Sequence, residues 1–474
     1  MERTLYALVI DDEETVRNFV CAALENDGWQ VSRANSAEEA FEMLTQEKWS
    51  IVFCDVRLGG ADGFAVLRRF KEEIPETKVV LMTGHGDAAG ALDATAFGAY
   101  DYLLKPFGVE ELQSLSAALR DQLTSRPHRV SIGTRAAAQQ SEIDLVGRSH
   151  AFIEVMKQVG RVAATSLPVF LTGESGTGKE LVAATLHRRS GRADKTFVAV
   201  NCGAIPAELI ESELFGHVKG SFTGADRDRR GLWEEANEGT VFLDEITETS
   251  QSFQVKLLRV LQEGEVRRVG SNQTQRVSVR VIAASNRDVE AEVKAGRFRE
   301  DLYYRLNAVS IKLPPLRERR DDIPPLAQTF ADRVYSLSPS VRFSSEALEL
   351  LQQYPWPGNI RELENAVVRA AAMCDGLIRV QDLPERIRSF QQQANAKVEA
   401  GLIVPREKEE WPSLADIEGR HVARVLAHTG GNKQAASRVL GVDRKTLDRM
   451  IKRHGIDFHK RSNGGQPIGT HEAA

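Results

Sequence analysis

Three groups of residues in this sequence have the types and spacing that phosphate chemistry requires. The first is Gly173-Glu174-Ser175-Gly176-Thr177-Gly178-Lys179, between a short apolar run and an amphipathic stretch. Glycines there let backbone N–H groups wrap an anion. The helix that follows adds positive potential at its start, and Lys179 reaches the β- and γ-phosphates of a nucleotide. The general pattern continues with Ser or Thr, but here Glu180 follows. On the loop alone, a glycine-rich turn without nucleotide stays open. The second group is Gly239-Thr240-Val241-Phe242-Leu243-Asp244-Glu245, an apolar strand ending in two acids. Beside a P-loop, Asp244 is placed to hold Mg²⁺, and Glu245 to polarise the water that attacks in line.

The third group is dispersed. Asp11 and Asp12 follow one apolar run and Asp55 another, while Thr83 and Lys105 end two more. Each of these acids taken singly reads equally well as a solvated turn residue. Five positions agreeing in order favour a common site. Three carboxylates at one place repel each other without a cation, and oxygen-only ligands favour Mg²⁺. A phosphoryl group on Asp55 would be neutralised by metal and Lys105 and bonded by Thr83.

Elements must bring these positions together. Tyr6–Ile10, Gln30–Arg33, Ile51–Cys54, Val79–Met82 and Tyr102–Leu104 read as strands separated by helical patterns. Such alternation predicts a doubly wound α/β domain over residues 1–122, with ligands at the carboxyl ends of its strands. Residues 123–143 read as a linker. A second α/β pattern occupies 144–388, with strands Val169–Thr172, Phe197–Asn201, Val241–Asp244 and Val279–Ala283. A helical lid is expected from about 320, and after about Phe343 only helices. Residues 389–412 form a second linker, 413–460 an all-α module of two short helices, and 461–474 a disordered tail.

Bulk properties bound the rest. The 474 residues are 42% hydrophobic and 27% charged, with no apolar run long enough for a membrane span and no secretory signal pattern. Cys21, Cys54, Cys202 and Cys374 are scattered and form no CxxC pair, so a reducing cytoplasm is expected rather than a disulfide framework. The net charge of −5 is unevenly spread: Ser413 to Arg461 holds eleven Lys or Arg against five Asp or Glu. That end alone is suited to phosphate backbones. There Gly430–Leu440 reads as a helix with Ala435, Ala436, Val439 and Leu440 inward, and Gly441-Val442 as a tight turn. Asp443 then caps a second helix with Leu447 and Ile451 inward. A short basic second helix after a glycine turn is DNA-binding geometry. Lys433, Arg444, Lys445, Thr446, Arg449 and Lys452 are the candidate DNA contacts. A basic hairpin for protein contact is the alternative.

On these residues the first module resembles the response-regulator receiver. The resemblance implies that Asp55 is phosphorylated by a sensor histidine kinase and that Asp11 and Asp12 hold the metal. It makes Tyr102 the switch aromatic and Lys105-Pro106 the family's usually cis Lys-Pro. It departs at Arg57-Leu58-Gly59-Gly60, where a Met-Pro pair is common. The second module resembles the AAA+ domain of sigma-54 activators of the NtrC family. Its signature loop reads Gly220-Ser221-Phe222-Thr223-Gly224-Ala225, after Glu213-Leu214-Phe215-Gly216-His217, with Ser221 where the family has Ala. The P-loop with Glu180 is the family's own version.

By that resemblance the Gly220–Ala225 loop grips sigma-54. Asn201 is the switch that holds Glu245, Asn286 senses γ-phosphate, Arg299 and Arg305 act in trans on a neighbour's ATP, and Arg361 is the second sensor in the lid. Trans-acting arginines imply a homo-oligomer, from dimer to hexameric ring. The third module resembles the Fis-type helix-turn-helix. The expectation is a phosphorylation-controlled ATPase that activates sigma-54 RNA polymerase from DNA enhancer sites. A repressor with a structural ATPase and an AAA+ remodeller of another client remain the alternatives.

Overall fold

The computed structural model describes residues 5–44, 46–59, 62–84, 86–124, 145–221, 225–334, 341–390 and 414–456. Phe222, Thr223 and Gly224, most of both expected linkers, and the expected tail lie outside the described residues. The chain forms two compact units, divided after Phe390.

The first unit begins with β1 (Tyr6–Ile10), α1 (Glu14–Asn26), β2 (Gln30–Ala34), α2 (Ala37–Met43), β3 (Trp49–Asp55), α3 (Gly63–Glu73), β4 (Lys78–Thr83), α4 (Ala88–Ala96), β5 (Asp101–Leu104) and α5 (Val109–Thr124). The five strands pair in parallel in the order β2-β1-β3-β4-β5. Helices cover both faces, so the central strands are apolar on both sides; Ala7–Ile10 and Ile51–Cys54 are fully buried. Local chemistry starts the helices: Ser36, Asp62 and Asp87 each accept a hydrogen bond from a backbone N–H of the first turn. The strand order reverses beside β1, which opens a crevice at the strand ends.

The same unit continues with α6 (His150–Ala163), β6 (Val169–Thr172), α7 (Lys179–Arg188), β7 (Phe197–Asn201), α8 (Ala207–Phe215), β8 (Gly216–His217), β9 (Arg229–Arg230), α9 (Leu232–Glu235), β10 (Thr240–Asp244), α10 (Gln251–Glu263), β11 (Glu265–Arg267), β12 (Thr274–Arg276), β13 (Arg280–Ser285), α11 (Val289–Lys294), α12 (Glu300–Leu306) and β14 (Val309–Lys312). Its main sheet is parallel, in the order β14-β6-β13-β10-β7. β14 is not among the strands expected from the sequence. This is an edge strand of four residues with a single buried position, Ile311, and it carries almost no periodic signal.

The lid follows with α13 (Ile323–Val334), β15 (Arg342–Phe343), α14 (Ser345–Gln353), α15 (Asn359–Met373) and β16 (Leu377–Ile378). The expectation of helices alone after Phe343 is corrected, because Arg342–Phe343 pairs in parallel with Leu377–Ile378. Two-residue strands leave no pattern; the pairing exists because the helices bring the segments together. Trp356 is wholly buried in the lid core, and its indole N–H donates to the Leu351 carbonyl at 2.7 Å.

The second unit holds three described helices, Leu414–His428, Lys433–Leu440 and Arg444–Arg453, where two were expected. The additional helix supplies Val422, Val425 and Leu426 to a small core with Ala436 and Leu447. Asn432 and Asp443 cap the second and third helices, and Gly441 closes the second at φ 65°. Val439 is not inward, as expected, but 62% exposed. Ala436, Ser437 and Leu440 define the inner face, and at 100° per residue Val439 points well away from it. Among the described residues no helix is long and apolar enough to cross a membrane.

Candidate functional sites

The first site forms at the crevice of the β1–β5 sheet. Asp11 follows β1 and Asp55 ends β3, so both carboxylates face the same opening. Carboxylate oxygens of Asp11, Asp12 and Asp55 all lie within 4.8 Å of one another. Lys105, just past β5, sends its ammonium between two of them, 2.7 Å from Asp11 and 2.6 Å from Asp55. Burial pushes the Asp11 carboxyl above its ordinary value, against the opposing effect of Lys105. Burial also opposes the charge on Lys105, but its bonds to Asp11 and Asp55 hold its pKa up. Three carboxylates against one ammonium leave two negative charges, and the oxygen-only donor set fits a hard divalent cation. The Lys105-Pro106 peptide is cis. Tyr102 is buried, and its hydroxyl engages the Thr83 side chain and the backbone at Asp87. Gly60 lies outside the described residues; Leu58 is buried.

The second site lies at the carboxyl ends of β6, β13, β10 and β7. The Gly173–Gly178 loop joins β6 to α7, with Gly173, Gly176 and Gly178 all at positive φ. Only glycine adopts these angles without strain. Lys179 opens α7 and donates to the carbonyls of Gly173 and Glu174 at 2.8 and 3.0 Å. Burial pushes its ammonium below the ordinary value. Thr177 is buried and bonds the Glu174 carbonyl, Ser175 is exposed, and Glu180 points to solvent from the first turn of α7.

Asp244 ends β10, in register with Asn201 at the end of β7. Glu245 follows at φ 54°, a left-handed conformation that costs a non-glycine residue about 1 kcal/mol or more. Its N–H donates to the Asp244 carboxylate. The Asn201 side-chain oxygen accepts from Gly203 and Ala204, so this contact shapes the turn beside Glu245. Asn286 is exposed just after β13. The preceding Ser285 hydroxyl is 3.1 Å from that of Thr247, which ties the end of β13 to the turn after Glu245.

The lid reaches this crevice through residues the sequence reading gave no role. Asn359, at φ 51°, donates to Glu174 and to the Ser175 carbonyl, while its side-chain oxygen accepts from the Leu316 N–H. Arg317 grips the Glu174 carboxylate with two hydrogen bonds, 2.6 and 2.8 Å. Arg317 first, then Asn359, hold that carboxyl below the usual range. Glu174 therefore fastens the P-loop to the lid. Arg361 is exposed, with its Cβ over Gly176. Arg299 precedes α12 and Arg305 lies in its last turn: Arg299 pairs with Asp301 at 2.7 Å, and Arg305 donates to the Leu261 carbonyl. The signals that could have revealed these links were the polar Asn359 between Gly358 and Ile360 and the Arg-rich stretch 317–320.

The Gly220–Ala225 loop is described only at its base. There the Gly220 N–H donates to the Ala225 carbonyl at 2.9 Å. The β11–β12 hairpin braces it: Val218 bonds Val269, and Val269 bonds Gly216. In the second unit Arg444, Lys445, Arg449 and Lys452 are exposed on the third helix. Lys433 pairs with Asp448 at 2.7 Å, and the Thr446 hydroxyl donates to Asp443.

Fold and sites together define a receiver, an AAA+ module with its lid, and a helix-turn-helix in one chain. Family models match in the same order: "Response regulator receiver domain" over 7–117, "Sigma-54 interaction domain" over 145–312, "AAA+ ATPase lid domain" over 317–400 and "Bacterial regulatory protein, Fis family" over 413–454. Transcriptional regulatory protein ZraR of Escherichia coli is 42% identical over 94% of this chain and 98% of its own length. Response regulator protein PilR of Pseudomonas aeruginosa is 39% identical over 95% and 99%. DNA-binding transcriptional regulator NtrC of Proteus hauseri is 38% identical over 95% and 98%. Among solved structures, NtrX from Brucella abortus in complex with ATP is 30% identical over 96% of this chain and 100% of that one, at a TM-score of 0.49.

The chain belongs to the sigma-54-dependent response regulators of the NtrC family. It is a two-component regulator of transcription, and its AAA+ domain is of a class that binds nucleotide and hydrolyses ATP.

Proposed function

We propose that phosphoryl transfer to Asp55 switches this chain into an ATP-hydrolysing ring that remodels sigma-54 RNA polymerase, from enhancer sites held by its helix-turn-helix. The observation that carries the reading is the convergence of Lys179, Asp244, Glu245 and Asn286 at the carboxyl end of one sheet, in the module that also holds the Gly220–Ala225 sequence.

At the receiver, an Asp55 carboxylate oxygen forms the bond to phosphorus as the donor's leaving group departs. Lys105 then turns from the bare carboxylate to the phosphoryl oxygens, and Thr83 donates to them. Mg²⁺, held by Asp11, Asp12 and Asp55, supplies charge neutralisation there when bound. At the ATPase site the loop 173–178 and Lys179 hold the β- and γ-phosphates, Asp244 accompanies their Mg²⁺, and Glu245 takes the proton of the attacking water. Asn201 and Asn286 report the γ-phosphate, and Arg361 reads the nucleotide from the lid. Arg299 and Arg305 leave Asp301 and Leu261 to complete a neighbour's site, which makes turnover depend on the homo-oligomer. Phe222 and Thr223 deliver the motion to sigma-54. Arg444, Lys445, Thr446 and Arg449 face base edges, and Lys433 and Lys452 phosphates.

The test is to trap the purified protein with an ADP–metal-fluoride analogue of hydrolysis and measure capture of purified sigma-54, beside Thr223→Ala. Capture by the wild type alone supports the reading. ATP turnover without capture would mean the engine serves another client.

A further inference from the structure

Arg280 of the ATPase sheet and Arg319 of the lid are each only 2% exposed. Burial pushes both guanidinium groups down to about 10. The Nε of each meets no acceptor among the described residues. A buried charge is costly unless the fold compensates it. For Arg280 the compensation is at hand. It donates to the carbonyls of Val162 and Ala163 at 2.9 and 2.8 Å, in the last turn of α6, where the helix dipole is negative.

Arg319 is placed the opposite way. It follows the turn Leu316–Glu318 at the entrance to the lid, and its backbone is fixed on both sides: its N–H donates to Leu316 at 3.1 Å and its carbonyl accepts from Asp322 at 3.0 Å. Its guanidinium donates to the Thr177 carbonyl at 2.8 Å. Thr177 lies in the P-loop two residues before α7, so this cation stands at the positive end of that helix. The buried ammonium of Lys179 stands at the same end. No carboxylate pairs with Arg319 among the described residues. Asp322 attracts it, but that carboxylate is already engaged. One oxygen accepts from the Arg148 and Ser149 N–H groups at 2.6 and 2.7 Å, and the other from the Ser149 hydroxyl at 2.7 Å. The Phe152 ring, 4.8 Å from the guanidinium carbon, offers its face, which attracts a cation far less than an anion would.

We infer that Arg319 is a positioning residue for the nucleotide: from behind the P-loop its unneutralised charge draws the phosphates to the loop, and its bond to the Thr177 carbonyl polarises the Gly178 N–H of the same peptide toward them. In a trans peptide the carbonyl and the N–H point in opposite directions, so Arg319 acts through the loop and not by touching the phosphates. The same charge destabilises the nucleotide-free protein, and a bound polyanion removes that cost. This rests on the reading above that residues 173–179 hold the β- and γ-phosphates.

The test uses the full-length chain as wild type, Arg319→Met and Arg319→Lys. Melting is measured without nucleotide, affinity with a slowly hydrolysed ATP analogue and with ADP, and turnover with ATP. Arg319→Met removes the charge and keeps an unbranched apolar chain against Phe152. It is expected to melt at or above the wild type without nucleotide. It should nevertheless bind the ATP analogue about tenfold more weakly and ADP, with one charge fewer, about threefold more weakly. KM for ATP should rise in step, with kcat within about twofold. Arg319→Lys keeps a point charge without the fork and is expected to recover most of the affinity. A Met variant that fails to fold, or melts well below the wild type, would overturn the inference, because the guanidinium would then be a structural tie. Unchanged affinity in that variant would overturn it too, as would equal losses in the Met and Lys variants. A wild type with no measurable affinity for the analogue defeats the nucleotide site itself, and the role of Arg319 with it.

Discussion

The Glu245 carboxylate occupies the space that a side chain on Gly203 would need: a β-carbon there would overlap its Oε2. The left-handed backbone of Glu245 points its side chain into the turn that Asn201 shapes with two N–H bonds. Gly203→Ala is therefore expected to displace the carboxylate and to lower kcat roughly 10²-fold, while ATP affinity stays near normal. Steady-state turnover beside nucleotide titration checks this. An unchanged kcat would remove Glu245 from the reacting water.

The Glu174–Arg317 pair makes a separable prediction. Each partner is 42% exposed, so solvent screening leaves the pair little weight in stability. Its use is geometric, because it joins the P-loop to the lid with two parallel bonds. Arg317→Ala should raise KM for ATP several-fold and barely move Tm. Arg317→Lys should not rescue it, since an ammonium cannot reproduce the fork. A large fall in Tm with unchanged KM would make the pair merely structural.

Gly270 braces the base of the Gly220–Ala225 loop. A β-carbon on it would lie 2.6 Å from Ser221 Cβ and 3.1 Å from Val218 Cγ2, and its φ is 80°. Gly270→Ala should shift the loop base without touching the nucleotide crevice. Capture of sigma-54 by the trapped protein is expected to fall about tenfold, with ATP turnover kept within about twofold. Full capture would show that the hairpin does not position the loop.

His187 on the P-loop helix predicts a pH response. Its ring is buried, with Nδ1 2.9 Å from the Thr240 hydroxyl, and burial holds its pKa below the ordinary 6.5. Above 6.5 the ring is neutral in both the folded and unfolded chain, so the ATPase module has its full stability. As pH falls below 6.5 the unfolded chain gains a proton that the folded one resists, and stability is lost until the lowered folded value is passed. Melting curves between about pH 7.5 and 5.5 should show this, and His187→Gln should flatten the dependence. An equal slope in that variant would assign the loss to other groups.

Much of this chain is legible locally. The glycines at 173, 176 and 178, the acids at strand ends, and the caps at Ser36, Asp87, Asn432 and Asp443 act over a few residues. Their spacing therefore carries both the element and its chemistry. Buried strands such as Ala7–Ile10 announce themselves because a parallel sheet covered on both faces needs continuous apolar residues. Val439 marks the limit of that logic, since an apolar side chain does not state which way its helix turns.

Contacts between distant segments were decided only by the tertiary structure. Nothing in Glu174 announces Arg317, 143 residues away, and nothing in Asp93 announces Arg189. The β15–β16 pair and the edge strand β14 are too short for periodicity to mark them. An amphipathic face such as that of α6 encodes that it will be buried, but not against what. Whether α4 of the receiver or another surface covers it depends on the mutual fit of two separately folded faces, down to the missing β-carbon of Gly160 beneath Thr95.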